Sequence, residues 1–270
     1  MPATKALPDP IVARLNARVS GTGERFMLFA HGFGCDQAMW RYVAPAFEAD
    51  FRVVLFDYVG AGGSDLAAYD PQKYASLDGY AEDVVELSRE LGLTDAIFVG
   101  HSVSAMVGLI VARKAPELFS TLVLVGPSPC YIDDGDYRGG FSRTQIDELL
   151  EFLDINHMGW SQAMAPVIMG NADRPELGEE LTSSFCRTDP DIAKRFARTT
   201  FLSDSRADLV PVDARVLILQ CRDDVIAPES VGAYVQAALP GSELVLLDAT
   251  GHCPNLSAPA ETIAAIKAFV

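Results

Sequence analysis

The chain has 270 residues, with 21 Lys and Arg against 37 Asp and Glu, and so a formal charge of −16 at neutral pH. That length suits one α/β domain with an insertion, or two small domains, and it supports a core without a metal or disulfide staple. The charge argues against nucleic acid or an anionic membrane face as a partner.

Met1-Pro2-Ala3-Thr4-Lys5 leads into no apolar leader segment, and no run approaches membrane-spanning length. The expectation is a soluble, cytoplasmic chain. The five cysteines (Cys35, Cys130, Cys186, Cys221, Cys253) are odd in number and widely spread. With no C-x-x-C they read as reduced core thiols rather than a disulfide framework or a zinc site.

From Phe26 onward, short apolar or β-branched runs alternate with stretches of helical period. The runs are Phe26–Ala30, Arg52–Phe56, Ala96–Val99, Leu122–Val125, Val216–Gln220 and Leu244–Leu247. Continuous runs of this kind belong to strands buried on both faces of a parallel sheet. Leu77–Leu91 places Leu77, Tyr80, Val84 and Leu87 on one helical face and stops before Gly92, a C-cap. Ser104–Lys114, Pro228–Leu239 and Ala260–Val270 carry the same period, and the alternation predicts a doubly wound α/β fold.

Between Pro129 and Ser203 the alternation gives way to helices alone, over Ser142–Ile155, Gly159–Met169, Pro175–Arg187 and Pro190–Leu202. Residues 1–128 and 204–270 are therefore expected to form the core. Residues 129–203 are expected to form a four-helix lid over the C-terminal edge of a mostly parallel sheet, where such sheets bind ligands. Both flanks return directly to strand patterns, which disfavours a separately folding helical domain.

The sharpest chemical signal is Gly100-His101-Ser102-Val103-Ser104, between the strand run Ala96–Val99 and the helical stretch that follows. A nucleophile elbow needs that strand–turn–helix setting and small residues beside the serine. Serine is a weak nucleophile and needs a base held by an acid. His252, in Thr250-Gly251-His252-Cys253-Pro254, follows the last strand run. Asp224 follows Val216–Gln220 and precedes Pro228 by four residues, a spacing that selects it over Asp223. The order Ser102, Asp224, His252, each on a strand-end loop, is that of a hydrolytic triad on an open sheet. The oxyanion hole needs two backbone donors, expected from Val103 and from Phe33 in His31-Gly32-Phe33-Gly34. A phosphate loop there is disfavoured, because no G-K-[ST] follows. Serine at the elbow also excludes a dehalogenase or epoxide hydrolase, which need aspartate there.

These residues resemble the RsbQ-type α/β-hydrolases, bacterial relatives of the plant karrikin and strigolactone receptors. The likeness rests on Gly32-Phe33-Gly34-Cys35-Asp36-Gln37, Phe56-Asp57-Tyr58-Val59-Gly60, the elbow, Val125-Gly126-Pro127-Ser128-Pro129-Cys130-Tyr131, Phe185-Cys186-Arg187-Thr188-Asp189-Pro190 and Gly251-His252-Cys253-Pro254. Gly139-Gly140-Phe141 and Gly159-Trp160 in the helical segment match as well. Two positions depart from RsbQ: Ser104 stands for glycine, as in the plant receptors, and His31 stands for proline.

The resemblance implies an α/β-hydrolase fold and a serine hydrolase that serves as a ligand-sensing regulator of a stress-signalling pathway, with a PAS-domain phosphatase or kinase as partner. It implies a small, largely apolar ligand with an ester- or lactone-like carbonyl, in a pocket lined by Phe33, His101, Trp160, Phe196 and Phe201. His157 reads as a surface or capping histidine. No metal or organic cofactor is implied. Two other readings use the same residues: a metabolic carboxylesterase or lactonase without a partner, and a non-catalytic ligand-binding protein.

Overall fold

The computed structural model describes residues 10–270, so the reading of Met1–Lys5 lies outside the described residues. The chain opens with the short helix α1 (Ile11–Arg14) and the strands β1 (Arg18–Ser20), β2 (Arg25–Ala30) and β3 (Phe51–Leu55). Helix α2 (Leu77–Glu90) leads to β4 (Ala96–His101), α3 (Val103–Lys114) and β5 (Phe119–Val125). Four helices follow without a strand: α4 (Arg143–Ile155), α5 (His157–Met169), α6 (Pro175–Arg187) and α7 (Pro190–Phe201). The sheet resumes with β6 (Arg215–Asp223), α8 (Glu229–Ala238) and β7 (Glu243–Thr250), and the chain ends in α9 (Pro254–Ser257) and α10 (Pro259–Phe269).

Among the described residues, the seven strands form one sheet in the order β1-β3-β2-β4-β5-β6-β7. Every pairing is parallel except β1 with β3. Each predicted run lies within a strand or overruns it by one residue, because a strand covered on both faces must be apolar throughout; all six residues of β4 are buried. The antiparallel β1 is new: its three residues are exposed, so no apolar pattern marks it. One face of the sheet packs against α2, α3 and α8 through Leu77, Val84, Leu109 and Val235. The other packs against Trp40, Phe47, Ile266 and Phe269, and against lid residues such as Leu181 and Phe185.

The lid helices have local reasons to start where they do. Ser142 and Gln145 form a reciprocal capping box on α4. Asn156 caps α5 by accepting from the Gly159 amide at 2.9 Å. Asp189 caps α7 through the amides of Asp191 and Ile192. His157, expected at the surface or as a cap, is instead buried at the first turn of α5, and the capping falls to its neighbour Asn156. No helix among the described residues is long and apolar enough to cross a membrane.

Candidate active site

Strand order brings the site together. After β2 the chain runs to β3 on one side and then crosses back to β4 on the other. The loops leaving β2 and β4 therefore diverge at a switch point, the crevice where open sheets hold ligands. Ala30 and Gly100 are paired across it, so His31-Gly32-Phe33 and His101-Ser102 leave adjacent strand ends.

Ser102 sits between β4 and α3 with φ 57° and ψ −123°. A non-glycine residue with that positive φ is strained and is found where a site demands it. The elbow tolerates only small neighbours: a Cβ on Gly100 would fall 2.5 Å from the Ser104 carbonyl oxygen. The Ser102 amide donates to the Val125 carbonyl at 2.8 Å, which ties the turn to the end of β5.

Ser102 Oγ lies 2.7 Å from His252 Nε2, and His252 Nδ1 lies 2.7 Å from Asp224 Oδ2. An ionised carboxylate only accepts, so Nδ1 carries the proton and Nε2 is left to receive one from the serine. Asp224 Oδ1 accepts from the amides of Ile226 (2.8 Å) and Ala227 (3.1 Å). Burial raises the Asp224 carboxyl, but the His252 imidazole and those amides outweigh it, so the group lies below the usual aspartate value. Asp223 points to solvent at the end of β6. The backbone of His252 is held from two sides: its amide donates to Ile168 of α5 at 2.9 Å, and its carbonyl accepts from His101 Nε2 at 2.7 Å. Burial, then the neighbouring His252, lowers the His101 imidazole to about 3, so it is neutral.

Among the described residues, the amides of Phe33 and Val103 enter no backbone hydrogen bond outside the regular helices and strands. Gly32 packs against the His101 ring, where a Cβ would approach Nδ1 to 2.6 Å. The loop is braced from below by the two departures from the RsbQ pattern. Ser104 Oγ donates to the His31 carbonyl at 2.5 Å. With its proton committed there, it accepts from the Tyr58 hydroxyl at 2.9 Å. The Tyr58 amide in turn donates to His31 Nε2 at 3.1 Å.

A cavity of about 30 Å³ opens onto Ser102 and His252 beneath α5, α6 and α7. Phe33, His101 and Phe201, expected along the pocket, line it; so do Cys35, Tyr131, Ile168, Leu181, Phe185, Thr200, Ile226 and Cys253. Trp160 and Phe196 stand one layer further out than expected. Both meet the Phe33 ring edge-on, at 6.0 and 5.6 Å, and Phe196 also stacks on Tyr80 at 4.6 Å. A helical stripe marks a buried face but not the layer its side chains reach. Tyr131 appeared in the sequence only within a motif and Thr200 not at all, since nothing in helical spacing separates an inward hydroxyl from a capping one.

A model described as the alpha/beta hydrolase family matches residues 27–266. Strigolactone esterase D14 of Arabidopsis thaliana is 40% identical over 252 residues, 93% of this chain and 94% of that protein. Karrikin insensitive 2 receptor IA of Petunia hybrida is 37% identical over 92% of this chain and 91% of its own length. Among solved structures, a hydrolase from Oleispira antarctica superposes with a TM-score of 0.93 at 41% identity, covering 96% of this chain and 95% of that one. The fold class expected from the sequence is the fold of these proteins.

Proposed function

The chain belongs to the alpha/beta hydrolase family, and on that premise we propose that it is an RsbQ-type serine hydrolase for a small ester or lactone. Ser102 Oγ attacks the carbonyl carbon as its proton passes to His252 Nε2. The amides of Phe33 and Val103 receive the developing oxyanion, and Asp224 stabilises the imidazolium. His252 then protonates the leaving alkoxide as the ester C–O bond breaks. Water attacks the acyl-serine and gives its proton to His252, which passes it to Ser102 Oγ as the acyl C–Oγ bond breaks and the acid leaves. The observation that carries this reading is the pair of 2.7 Å contacts linking Ser102, His252 and Asp224 beneath the lid.

Fluorophosphonate labelling tests it. The wild-type protein is expected to be labelled at Ser102, and Ser102→Ala and His252→Ala to lose labelling and ester turnover together. Labelling at another residue, or full turnover by Ser102→Ala, refutes it.

The narrow cavity favours the regulatory form of this reading over a metabolic carboxylesterase or lactonase. Its volume of about 30 Å³ is room for little more than a water, against roughly 300–1,000 Å³ for ordinary ligand sites. A ligand must displace wall residues to enter, and Ile168, Leu181, Phe185, Thr200 and Phe201 of the lid are among them, so occupancy can be coupled to lid position. That coupling suits a ligand sensor read by a second protein, for which the RsbQ resemblance suggests a PAS-domain phosphatase or kinase. Ligand-dependent co-purification with such a protein tests the partner. Signalling that persists in Ser102→Ala would favour the non-catalytic binding reading.

A further inference from the structure

The members of the triad are anchored in different ways. Ser102 is fixed by the Val125 carbonyl at the end of β5, and Asp224 by the amides of Ile226 and Ala227, all within the core. The loop that carries His252 has core bonds too, from the Gly251 amide to the Asp223 carbonyl at 2.7 Å and from His101 to the His252 carbonyl. It is bonded as well to the lid, at the turn between α5 and α6. A helix ends on carbonyls that have no partner in a following turn. At the end of α5, the Ile168 carbonyl accepts from the His252 amide at 2.9 Å, and the Met169 carbonyl accepts from Asn171 Nδ2 at 2.8 Å. The second proton of Nδ2 goes to the carbonyl of Thr250, just before the base, at 2.8 Å. Asn171 Oδ1 accepts from Arg174, whose Nη1 donates to the carbonyl of Ser257, beyond the base, at 2.7 Å. The two backbones are in contact: Gly251 has φ 88°, and a Cβ on it would fall 1.8 Å from the Met169 carbonyl oxygen. Asn171 has φ 57°, a left-handed conformation that asparagine accepts more readily than most residues.

We propose that Asn171 and Arg174 are positioning residues for the base. Neither lines the cavity beside Ser102. They act by holding both ends of the 250–257 loop against the end of α5, which keeps His252 Nε2 on Ser102 Oγ. The lid then does more than cover the site, because part of the alignment of the triad depends on it. The inference rests on the hydrolase reading and goes beyond it by assigning that alignment to the turn between α5 and α6.

Kinetics per active site test it. Asn171→Gly keeps the left-handed backbone and deletes the side chain. Asn171→Asp keeps the acceptor for Arg174 but has no proton for the Met169 and Thr250 carbonyls. Each protein is titrated to completion with a fluorophosphonate, and kcat for 4-nitrophenyl acetate is expressed per labelled site, so that an unfolded fraction does not count. Both variants are expected to lose about tenfold in kcat per site with KM changed by less than about twofold, the pattern of a group needed in the transition state alone. The loss stays short of the roughly 10²-fold effect of a 1 Å misplacement, because Asp224 and His101 still hold the base. Arg174→Ala is expected to lower kcat per site in the same way but by less. Arg41→Ala cuts a different contact between core and lid, the Arg41–Glu180 pair at 2.5 Å, and is expected to leave kcat per site near that of the wild type. Unchanged kcat per site in the Asn171 and Arg174 variants, an effect on KM alone, or an equal loss in Arg41→Ala overturns the proposal. A wild-type protein that takes no fluorophosphonate and cleaves no ester is a separate result, which refutes the hydrolase reading and the proposal with it.

Discussion

Replacing Ser104 by alanine deletes the one group that joins Tyr58 to the His31 carbonyl. Ser104 and His31 are fully buried and Tyr58 is 1% exposed, so water does not reach the gap. Two groups lose their partner, the Tyr58 hydroxyl and the His31 carbonyl oxygen. At about 1–3 kcal/mol for each orphaned buried group, the expected loss is about 2–6 kcal/mol. Tyr58→Phe removes only the donor to Ser104 and leaves the bond to His31, for a loss of about 1 kcal/mol. The double variant also removes the hydroxyl that Ser104→Ala strands, so it should be more stable than Ser104→Ala alone. Urea unfolding at neutral pH of the four proteins in this cycle measures the coupling. Additive losses, or a double variant weaker than both singles, would refute the network. Ester turnover adds a second readout. Val103 is adjacent to Ser104, and Phe33 lies two residues beyond His31, so the same bond spaces both proposed oxyanion donors. Ser104→Ala is expected to lower kcat by about tenfold with KM little changed, short of the 10²–10³ that follows from losing a donor.

Asp224→Asn is expected to lower kcat by about 10⁴, because an amide no longer holds the Nδ1–H tautomer, whereas Asp223→Asn should leave turnover near that of the wild type; equal effects would reverse the choice of acid. His101 titrates at 6.5 in the unfolded chain and is lowered to about 3 when folded, so the unfolded state binds the extra proton between those values. Its contribution to stability is complete above pH 6.5 and is lost as the pH falls towards 3. Urea midpoints followed against pH should show that slope flattened in His101→Asn; an unchanged slope would contradict a buried neutral imidazole. Phe33→Ala keeps the backbone amide but removes a ring that contacts Trp160, Phe185, Phe196 and Phe201. It should cost about 3–5 kcal/mol and join the catalytic cavity to the small void beside Tyr58 and Phe196. Longer acyl esters should then gain in kcat/KM relative to acetate, and no shift in chain-length preference would show that Phe33 does not bound the site.

Much of the molecule was legible before folding was considered. Strands covered on both faces must be apolar end to end, so the runs at Phe26–Ala30 and Val216–Gln220 declared themselves, and the lid helices followed from their period and caps. The grouping of Ser102, His252 and Asp224 was legible because an elbow demands small residues around a serine, and because the proposed base and acid sit on loops that leave strand ends. Local pattern cannot report what depends on residues far apart in the chain. The exposed edge strand β1 is held by backbone pairing to β3, which no apolar pattern announces. The layer at which Trp160 and Phe196 stop is set by how α5 and α7 lean on Phe33. The link from Ser104 to His31 spans 73 positions and exists because β2 and β4 are neighbours in the sheet. Residue type and spacing determine which faces are buried and which loops carry reactive groups. Strand order and register determine which of those groups meet, because only they bring distant loops to one edge.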